Sequence, residues 1–383
     1  MGIISSLRSS VDKVLSLSIS PFAFPVEKQR EYLTSISEPI DDIERAYDQY
    51  RCQLKFFNPI LNAAMQLASL PAIFLYLAKA SDPVLNTAVC DAVFFSDGKP
   101  ENIIPDELKT RFNRIETIDV KRKNLSRSDK AFFKGIVKRY PFSWQFLLKN
   151  LIKISYYSYE IHRSNPKAII VCNEYSFTSS ILTAYCTAMG IEHINVMHGE
   201  KLFFMRDSFF HFDRCYVWNE FYRDLFCELR AEKSQFQVSV PPSMRFSTSN
   251  AVEKEYDYTF YLGAERDEQL QQIIFCLNLL KQRGKKVSLR PHPRYSDLNM
   301  VRRFCIDGIT IEDGGSLPIE MSILRTRNAV SGFSTVLNQA YHNGVKIVID
   351  DVSKPEAYKK LEELGYVMLK VEHKLLSQVL EEN

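Results

Sequence analysis

The sequence predicts an α/β fold built from two doubly wound domains, and two patterns support this prediction. Short apolar strands alternate with helices along most of the 383 residues, as in parallel sheets that are covered by helices. A polar stretch with paired prolines, residues 237–255, interrupts the alternation and indicates an interdomain linker. We therefore expect one domain over residues 1–240 and a second over residues 241–383.

The composition is that of a globular protein, with 45% apolar and 25% charged residues. A net charge of +3 without a recognisable RNA- or DNA-binding motif gives no reason to expect nucleic acid as a partner. The eight cysteines form no C-x-x-C pair and no cluster with histidine, so we expect reduced core residues in a cytoplasmic protein and no metal site. We see no run of about eighteen apolar residues and expect no membrane-spanning helix.

The first hundred residues are predicted to be mainly helical and to end in a strand. Helices are expected over residues 38–47 and 61–80, and a strand over residues 87–95. Ser96-Asp97-Gly98 then forms a turn signature. Asp97 is a degenerate catalytic candidate, and a simple turn residue is the alternative.

Residues 121–163 are strongly basic, with eleven Lys and Arg against the two acids Asp129 and Glu160. Aromatic residues such as Trp144 lie among them, and this mixture suits the surface of an anionic membrane. A solvated helix face above a buried apolar side is the alternative. We expect peripheral attachment to the inner face of the plasma membrane through this segment.

A β-α-β unit follows, with strands over residues 167–172 and 191–197 and a helix over residues 177–189. Parallel strands joined by a helix form a Rossmann-like layer. Acid-base groups follow both strands: Glu174 after the first, His198 and Glu200 after the second. A further short strand is expected over residues 213–219.

The same alternation continues in the C-terminal half. Strands are predicted over residues 256–262, 287–290, 308–311, 328–331 and 345–349, with helices over residues 268–283, from Pro318 onward and up to Asn343. The first of these strands ends at Gly263, which is therefore a candidate donor-binding position.

Residues 287–294 read Val-Ser-Leu-Arg-Pro-His-Pro-Arg. The two prolines end the strand and hold His292 in an extended loop at its carboxyl end, where open α/β sheets bind ligands. With Arg290 and Arg294 beside it, the loop is expected to be cationic and suited to phosphate. A surface histidine in a turn is the alternative.

A second anion site is predicted at residues 331–335, Ser-Gly-Phe-Ser-Thr, between a strand and a helix. Such a turn offers backbone N–H groups, hydroxyls and the positive end of the helix dipole, without any metal. Ser334 or Thr335 as a plain helix cap is the alternative. Glu320, at the start of the preceding helix, could accept hydrogen bonds from two ribose hydroxyls.

The order of His292-Pro293, Pro318-Ile319-Glu320 and Ser334-Thr335 resembles the nucleotide domain of bacterial GT-B glycosyltransferases, the sialyltransferases and polysialyltransferases that use CMP-linked acidic sugars. The resemblance covers roughly residues 256–351 and extends to the N-terminal half only by topology. It implies a GT-B fold with the active site in the interdomain cleft. It also implies that His292 contacts the CMP phosphate or acts as the acid, that Glu320 holds ribose, and that Ser334 and Thr335 bind phosphate. Pro293 and Arg294 complete the candidate donor-binding set.

The chain departs from these families at the catalytic base. They carry an acidic pair followed by glycine at a strand end, whereas this chain has His198-Gly199-Glu200. A His-Gly at this place is similar to the CDP-glycerol glycerophosphotransferases and to capsule-type Kdo transferases. Glu200 or His198 is the expected base, with Glu174 in reserve.

We therefore expect metal-independent, inverting transfer of sialic acid or a related ulosonic acid from a CMP-linked donor, with no cofactor. The expected acceptor is a bacterial surface glycan of a capsule, O-antigen or lipooligosaccharide, either free or lipid-linked. One alternative is a polyol-phosphate transferase that uses CDP-glycerol or CDP-ribitol. The other is a non-catalytic nucleotide-sugar-binding subunit of a glycan-assembly complex.

Overall fold

The computed structural model describes residues 21–78, 82, 84, 90–119, 122–246, 252–304 and 308–382. Within these residues twelve strands form two sheets of six, and all paired strands run parallel. The strands are β1 (Ala92–Phe95), β2 (Ile115–Ile118), β3 (Ala168–Val171), β4 (Glu192–Val196), β5 (Arg214–Val217), β6 (Phe236–Val238), β7 (Tyr256–Tyr261), β8 (Val287–Arg290), β9 (Thr310–Ile311), β10 (Thr326–Ser331), β11 (Lys346–Ile349) and β12 (Lys374–Leu375).

The α-helices cover both sheets and connect their strands. They are α1 (Val26–Thr34), α2 (Asp42–Leu54), α3 (Pro59–Ala78), α4 (Asp106–Arg111), α5 (Arg127–Arg139), α6 (Trp144–Ser164), α7 (Ser179–Ala188), α8 (Glu220–Glu228), α9 (Asp267–Gln282), α10 (Leu298–Phe304), α11 (Ile319–Arg325), α12 (Thr335–His342), α13 (Pro355–Glu363) and α14 (Leu376–Glu381).

The strand order is β2-β1-β3-β4-β5-β6 in the first sheet and β12-β11-β10-β7-β8-β9 in the second. Central strands such as β3 are buried along their whole length. A strand with helices on both faces needs such an unbroken apolar sequence. The predicted α/β fold with two Rossmann-like domains is confirmed by this topology.

The two domains share one continuous apolar core. Trp218 and Tyr222 of the N-terminal domain belong to the same buried cluster as Leu337 and Tyr366 of the C-terminal half. After β11 the chain returns to the N-terminal domain, where the Phe203 amide donates to the Leu364 carbonyl at 2.7 Å. The carboxyl ends of both sheets therefore meet at one interface.

The sequence analysis did not predict the two short strands at the edges of the first sheet. The strand β2 was not expected, and β6 (Phe236–Val238) occupies the start of the predicted linker, so the first sheet extends to Val238. Each has only three or four residues and is at most half-buried. The strand β2 lacks a strict apolar alternation, and the short alternation that begins at Phe236 runs directly into the paired prolines that indicate a linker. The predicted strand over residues 87–95 is observed from Ala92, and its residues 87–89 lie outside the described residues.

The sequence predicted no membrane-spanning helix, but one helix in the described part of the chain meets the length and composition of such a span. The helix α3 has 20 residues and is long and apolar enough to cross a bilayer by length and composition. Its Asn, Gln, Ser and Pro residues divide the apolar letters into short runs, yet none of them is charged and none ends the helix. Counting unbroken apolar runs therefore missed it.

Candidate active site

A cavity of about 620 Å³ lies between the domains. Its C-terminal wall includes residues that follow four neighbouring strands: Glu265 after β7, His292 after β8, Gly332 after β10 and Asp350 after β11. Glu200, which follows β4, lines it from the N-terminal domain. The cavity thus occupies the edge where doubly wound sheets bind ligands. Among the described residues, no group of three or more His, Cys, Asp and Glu side chains is placed to hold a metal ion.

His292 is held in one orientation by its own loop. Its Nδ1 accepts a hydrogen bond from the Arg294 amide at 3.0 Å, and its ring stacks on Tyr295 with 4.5 Å between centroids. Partial burial, and then the charge of Arg294, lower the pKa of His292 below its ordinary value. Because Nδ1 accepts, the neutral imidazole carries its proton on Nε2 and can donate a hydrogen bond.

Of the two arginines expected beside the imidazole, Arg294 acts on it through its charge, whereas Arg290 makes contacts elsewhere. Arg290 is buried, forms an ion pair with Glu312 at 3.3 Å and donates to the Leu317 carbonyl at 2.7 Å. Arg290 is the last residue of β8, and its guanidinium is held by Glu312 and the Leu317 carbonyl, which explains why it does not add positive charge beside His292. Pro293 and Arg294 are exposed and are not among the residues lining the cavity.

The positive charge in the cavity wall comes from a residue that the sequence did not single out. Lys354 precedes α13, and its Nζ lies 3.1 Å from Glu265 Oε1. Glu265 also accepts a hydrogen bond from the Gly263 amide at 2.9 Å. Its second oxygen, Oε2, is buried and has no hydrogen-bond partner in the described chain. This oxygen can therefore accept a hydrogen bond from a bound hydroxyl group.

Ser334 and Thr335 line the cavity at the start of α12. Ser334 caps this helix, because its hydroxyl accepts a hydrogen bond from the Val336 amide at 3.3 Å. Ser334 therefore caps the helix and lines the cavity at the same time. The N-terminus of α12 presents the positive end of its dipole to the same space as His292.

Glu200 faces this anion-binding wall from the other domain. Its carboxylate accepts hydrogen bonds from the Tyr222 hydroxyl at 2.7 Å and from the Asn338 side-chain amide. Burial raises the pKa of Glu200 to about 7, although both hydrogen bonds act in the opposite direction. A carboxylate with this pKa can accept a proton efficiently near neutral pH.

The other two base candidates lie away from the cavity lining. Glu174 is fully buried and forms an ion pair with Lys201. Burial opposes its ionisation, but Lys201 and His198 outweigh burial and lower the pKa of Glu174. His198 is half-buried, and burial lowers its pKa to about 4. The geometry therefore brings Glu200 to the cavity and leaves Glu174 in a buried ion pair.

Two further candidates lie elsewhere. Glu320 is exposed on α11 and lines a separate depression of about 240 Å³, beside Asn102 and Arg245. Asp97 is exposed in its turn with a φ of 47°, as a turn residue would be. Glu265 and Lys354 were missed because their meeting depends on the return of the chain after β11, which no local sequence signal reveals.

The site and fold define a two-domain α/β protein with a cavity between parallel sheets. No family model matches the sequence, and no curated protein matches it. The chain is similar, at low sequence identity, to several solved structures, three of which are compared with it here. The wall teichoic acid polymerase TagF shares 11% identity over 85% of this chain and 88% of that one, with a TM-score of 0.42. The UDP-GlcNAc 2-epimerase of Neisseria meningitidis, bound to UDP-GlcNAc, shares 10% over 77% and 90%, with a TM-score of 0.43. HepE of Anabaena, in complex with UDP and glucose, shares 9% over 76% and 89%, with a TM-score of 0.41.

Proposed function

We propose that this chain is a glycosyltransferase that uses a nucleotide-linked sugar and needs no metal. One observation carries the proposal: Glu200 and the strand-end anion site line the same cavity from opposite domains. A base on one side and a phosphate-binding wall on the other match the two partners of a glycosyl transfer. The sugar acceptor would approach Glu200, and the nucleotide would occupy the C-terminal wall.

The nucleotide phosphate is bound by uncharged donors and one ammonium group in this proposal. His292 donates through Nε2, Ser334 and Thr335 contribute the start of α12, and Lys354 adds positive charge. Glu265 accepts a hydrogen bond from a ribose or sugar hydroxyl through its unpaired oxygen. The resemblance of the His292-Pro293 and Ser334-Thr335 motifs supports a CMP-linked sialic or related ulosonic acid as the donor.

Glu200 acts as the general base in the proposed reaction. It removes the proton of an acceptor hydroxyl as that oxygen attacks the anomeric carbon from the face opposite the nucleotide. The new C–O bond forms while the bond to the donor phosphate breaks, and its electron pair leaves with CMP. The helix start and His292 stabilise the negative charge that develops on the departing phosphate. The anomeric configuration is inverted.

The acceptor in this proposal is a bacterial surface glycan, presented at the cytoplasmic face of the plasma membrane. The basic segment over residues 121–163 supports a peripheral position at that surface. A polyol-phosphate transferase is the second candidate, because His198-Gly199 resembles the corresponding motif of the CDP-glycerol enzymes. The two activities differ in whether the phosphate next to the transferred group stays with the nucleotide.

The experiment is a panel of CMP-linked and CDP-linked donors incubated with the purified protein, with and without EDTA. We expect release of CMP from CMP-linked ulosonic acids, unchanged by EDTA. Release of CMP from CDP-glycerol or CDP-ribitol would instead assign a polyol-phosphate transferase. Nucleotide binding without any turnover, even with glycan acceptors present, would indicate a non-catalytic subunit. Loss of turnover with EDTA would overturn the metal-independent mechanism.

A further inference from the structure

The helix α3 (Pro59–Ala78) has its polarity reversed relative to a helix on the surface of a water-soluble domain. Ten of its residues are exposed, and all ten are apolar: Pro59, Ile60, Ala63, Ala64, Leu67, Ala68, Pro71, Phe74, Leu75 and Ala78. They recur at intervals of three and four residues and therefore form one continuous face along the helix. Leu67, Phe74 and Leu75 are 66%, 64% and 67% exposed.

The polar residues of α3 point inward. The Asn62 side chain donates to the Leu54 carbonyl at 3.2 Å, and Gln66 accepts a hydrogen bond from the Gln145 amide at 3.0 Å. Near the other end, the Tyr76 hydroxyl contacts Ser155 on α6. Because these polar side chains face the protein, the outer face presents only hydrocarbon. Water is a poor environment for such a face.

Positive charge lies beside this apolar face. Lys123 places its Nζ 4.6 Å from the ring centroid of Tyr76. The helix α5 carries the exposed side chains of Arg127, Lys130, Lys134 and Lys138. Both α3 and α5 pack on α6, where Ser155 contacts α3 and Ser158 contacts the α5 residue Asp129. Since Ser155 and Ser158 are three residues apart, the two helices occupy neighbouring sides of α6.

We propose that α3 lies in the plane of an anionic lipid bilayer, with Leu67, Phe74 and Leu75 inserted among the acyl chains and the cationic helix α5 at the headgroups. A 20-residue helix is about 30 Å long, so it offers an extended insertion surface. An orientation across the bilayer does not fit, because the inward face of α3 is hydrogen-bonded to α6 of the same domain at both ends. Hydrophobic insertion combined with nearby basic residues is the recognised chemistry of helices that bind at the membrane surface. This inference does not depend on the proposed reaction.

The two contributions have different salt dependence, which separates them experimentally. Headgroup attraction is screened by salt, whereas insertion of apolar side chains is not. Sedimentation with liposomes containing anionic lipid should therefore show binding that weakens but persists in high salt. The triple variant Leu67→Gln/Phe74→Gln/Leu75→Gln should lose the salt-resistant part, about tenfold or more in partition coefficient. The variant Lys130→Ser/Lys134→Ser/Lys138→Ser should lose mainly the salt-sensitive part.

The control is Phe275→Gln, because Phe275 is 56% exposed on α9 of the other domain. This variant should bind liposomes like the unmodified protein. Insertion is checked directly with Leu67→Trp, whose added fluorescence should be quenched by lipids brominated on their acyl chains. Phe275→Trp should show no such quenching.

Three results would overturn the proposal. Equal binding of the triple variant and the unmodified protein, or no quenching of Leu67→Trp, would exclude insertion through α3. A concentration-dependent dimer that disappears in the triple variant, without lipid binding, would assign the face to a second copy of the chain. Liposome binding that appears only after removal of residues 1–20 would assign the face to that segment.

Discussion

The Glu200 carboxylate and the Asn338 side-chain amide are hydrogen-bonded across the domain interface. Glu200 follows β4 of the N-terminal domain, whereas Asn338 lies on α12, the helix whose first turn lines the anion site. The orientation of the proposed base therefore depends on the position of the donor-binding domain. The Tyr222 hydroxyl completes this contact by bonding both partners.

Substituting Asn338 should change how activity depends on pH. The hydrogen bond from Asn338 lowers the pKa of Glu200, so Asn338→Ala should raise that pKa above its value of about 7. Activity requires the deprotonated carboxylate, and the rising limb of kcat against pH should therefore move to higher pH. Donor KM should change little. Asn338 is buried, so a fall in kcat without movement of the limb would indicate only a packing defect.

Glu200→Gln should reduce kcat by about 10²-fold to 10⁴-fold, since the amide cannot accept the acceptor proton. Nucleotide affinity, measured by calorimetry, should remain close to that of the unmodified protein. His198→Ala is the comparison variant. If it abolished turnover while Glu200→Gln remained active, the base assignment would pass to histidine.

The same substitution should alter the dependence of stability on pH. The folded-state pKa of Glu200, about 7, is above its unfolded value, so this group stabilises the fold below about pH 4.5. That contribution is lost as the pH rises through about 7. The Tm of the unmodified protein, relative to Glu200→Gln, should therefore fall between pH 4.5 and pH 7 and stay constant above. If the Tm curves of the two proteins were parallel across this range, burial would not raise the pKa of Glu200.

Two glutamates can be compared as ribose or sugar ligands. Glu265 lines the cavity with an unpaired oxygen, whereas Glu320 lines a separate depression. Glu265→Gln should weaken nucleotide-donor binding, by about 1.5–3 kcal/mol for one lost charge-assisted hydrogen bond. Glu320→Gln should leave binding unchanged, because Glu320 does not line the cavity. The reverse result would restore the role that the sequence resemblance gives to Glu320.

His292→Ala should weaken binding of the nucleotide by a similar amount, because the loop fixes Nε2 as a donor. Arg294→Ala is a matched control from the same loop, since Arg294 is exposed and does not line the cavity. Binding is measured by titration with CMP. Equal losses in both variants would point to a general electrostatic attraction and remove the specific role of the imidazole.

The ion pair between Glu174 and Lys201 should contribute to the stability of the folded protein. Each partner is almost inaccessible to solvent, so removing one leaves an uncompensated buried charge. Glu174→Gln or Lys201→Met should each cost about 3–5 kcal/mol of unfolding free energy, and the double variant should cost less than either single change. Denaturant unfolding measures this. Additive losses in the double variant would contradict the pairing.

The sequence predicts the parts of this protein that local rules determine. Proline spacing places His292 at a strand end, and the Ser334-Thr335 turn marks a helix start beside it. The ion pair of Arg290 could not be predicted from neighbouring residues, because its partner Glu312 lies on a different segment. Glu265, Lys354 and the pKa of Glu200 all depend on contacts between distant parts of the chain. The residues next to them in the sequence do not indicate such contacts.

The return of the chain after β11 limits how the protein can be divided. Tyr366, Val367 and Met368 are buried in the core that includes the N-terminal domain, and Leu364 bonds to Phe203. A fragment ending at residue 240 would expose the surface that these residues cover, and the complementary fragment would carry them uncovered. Separate expression of the halves should therefore give insoluble products, while co-expression should recover a complex. Cleavage at a protease site engineered between the two halves should likewise leave the two pieces associated.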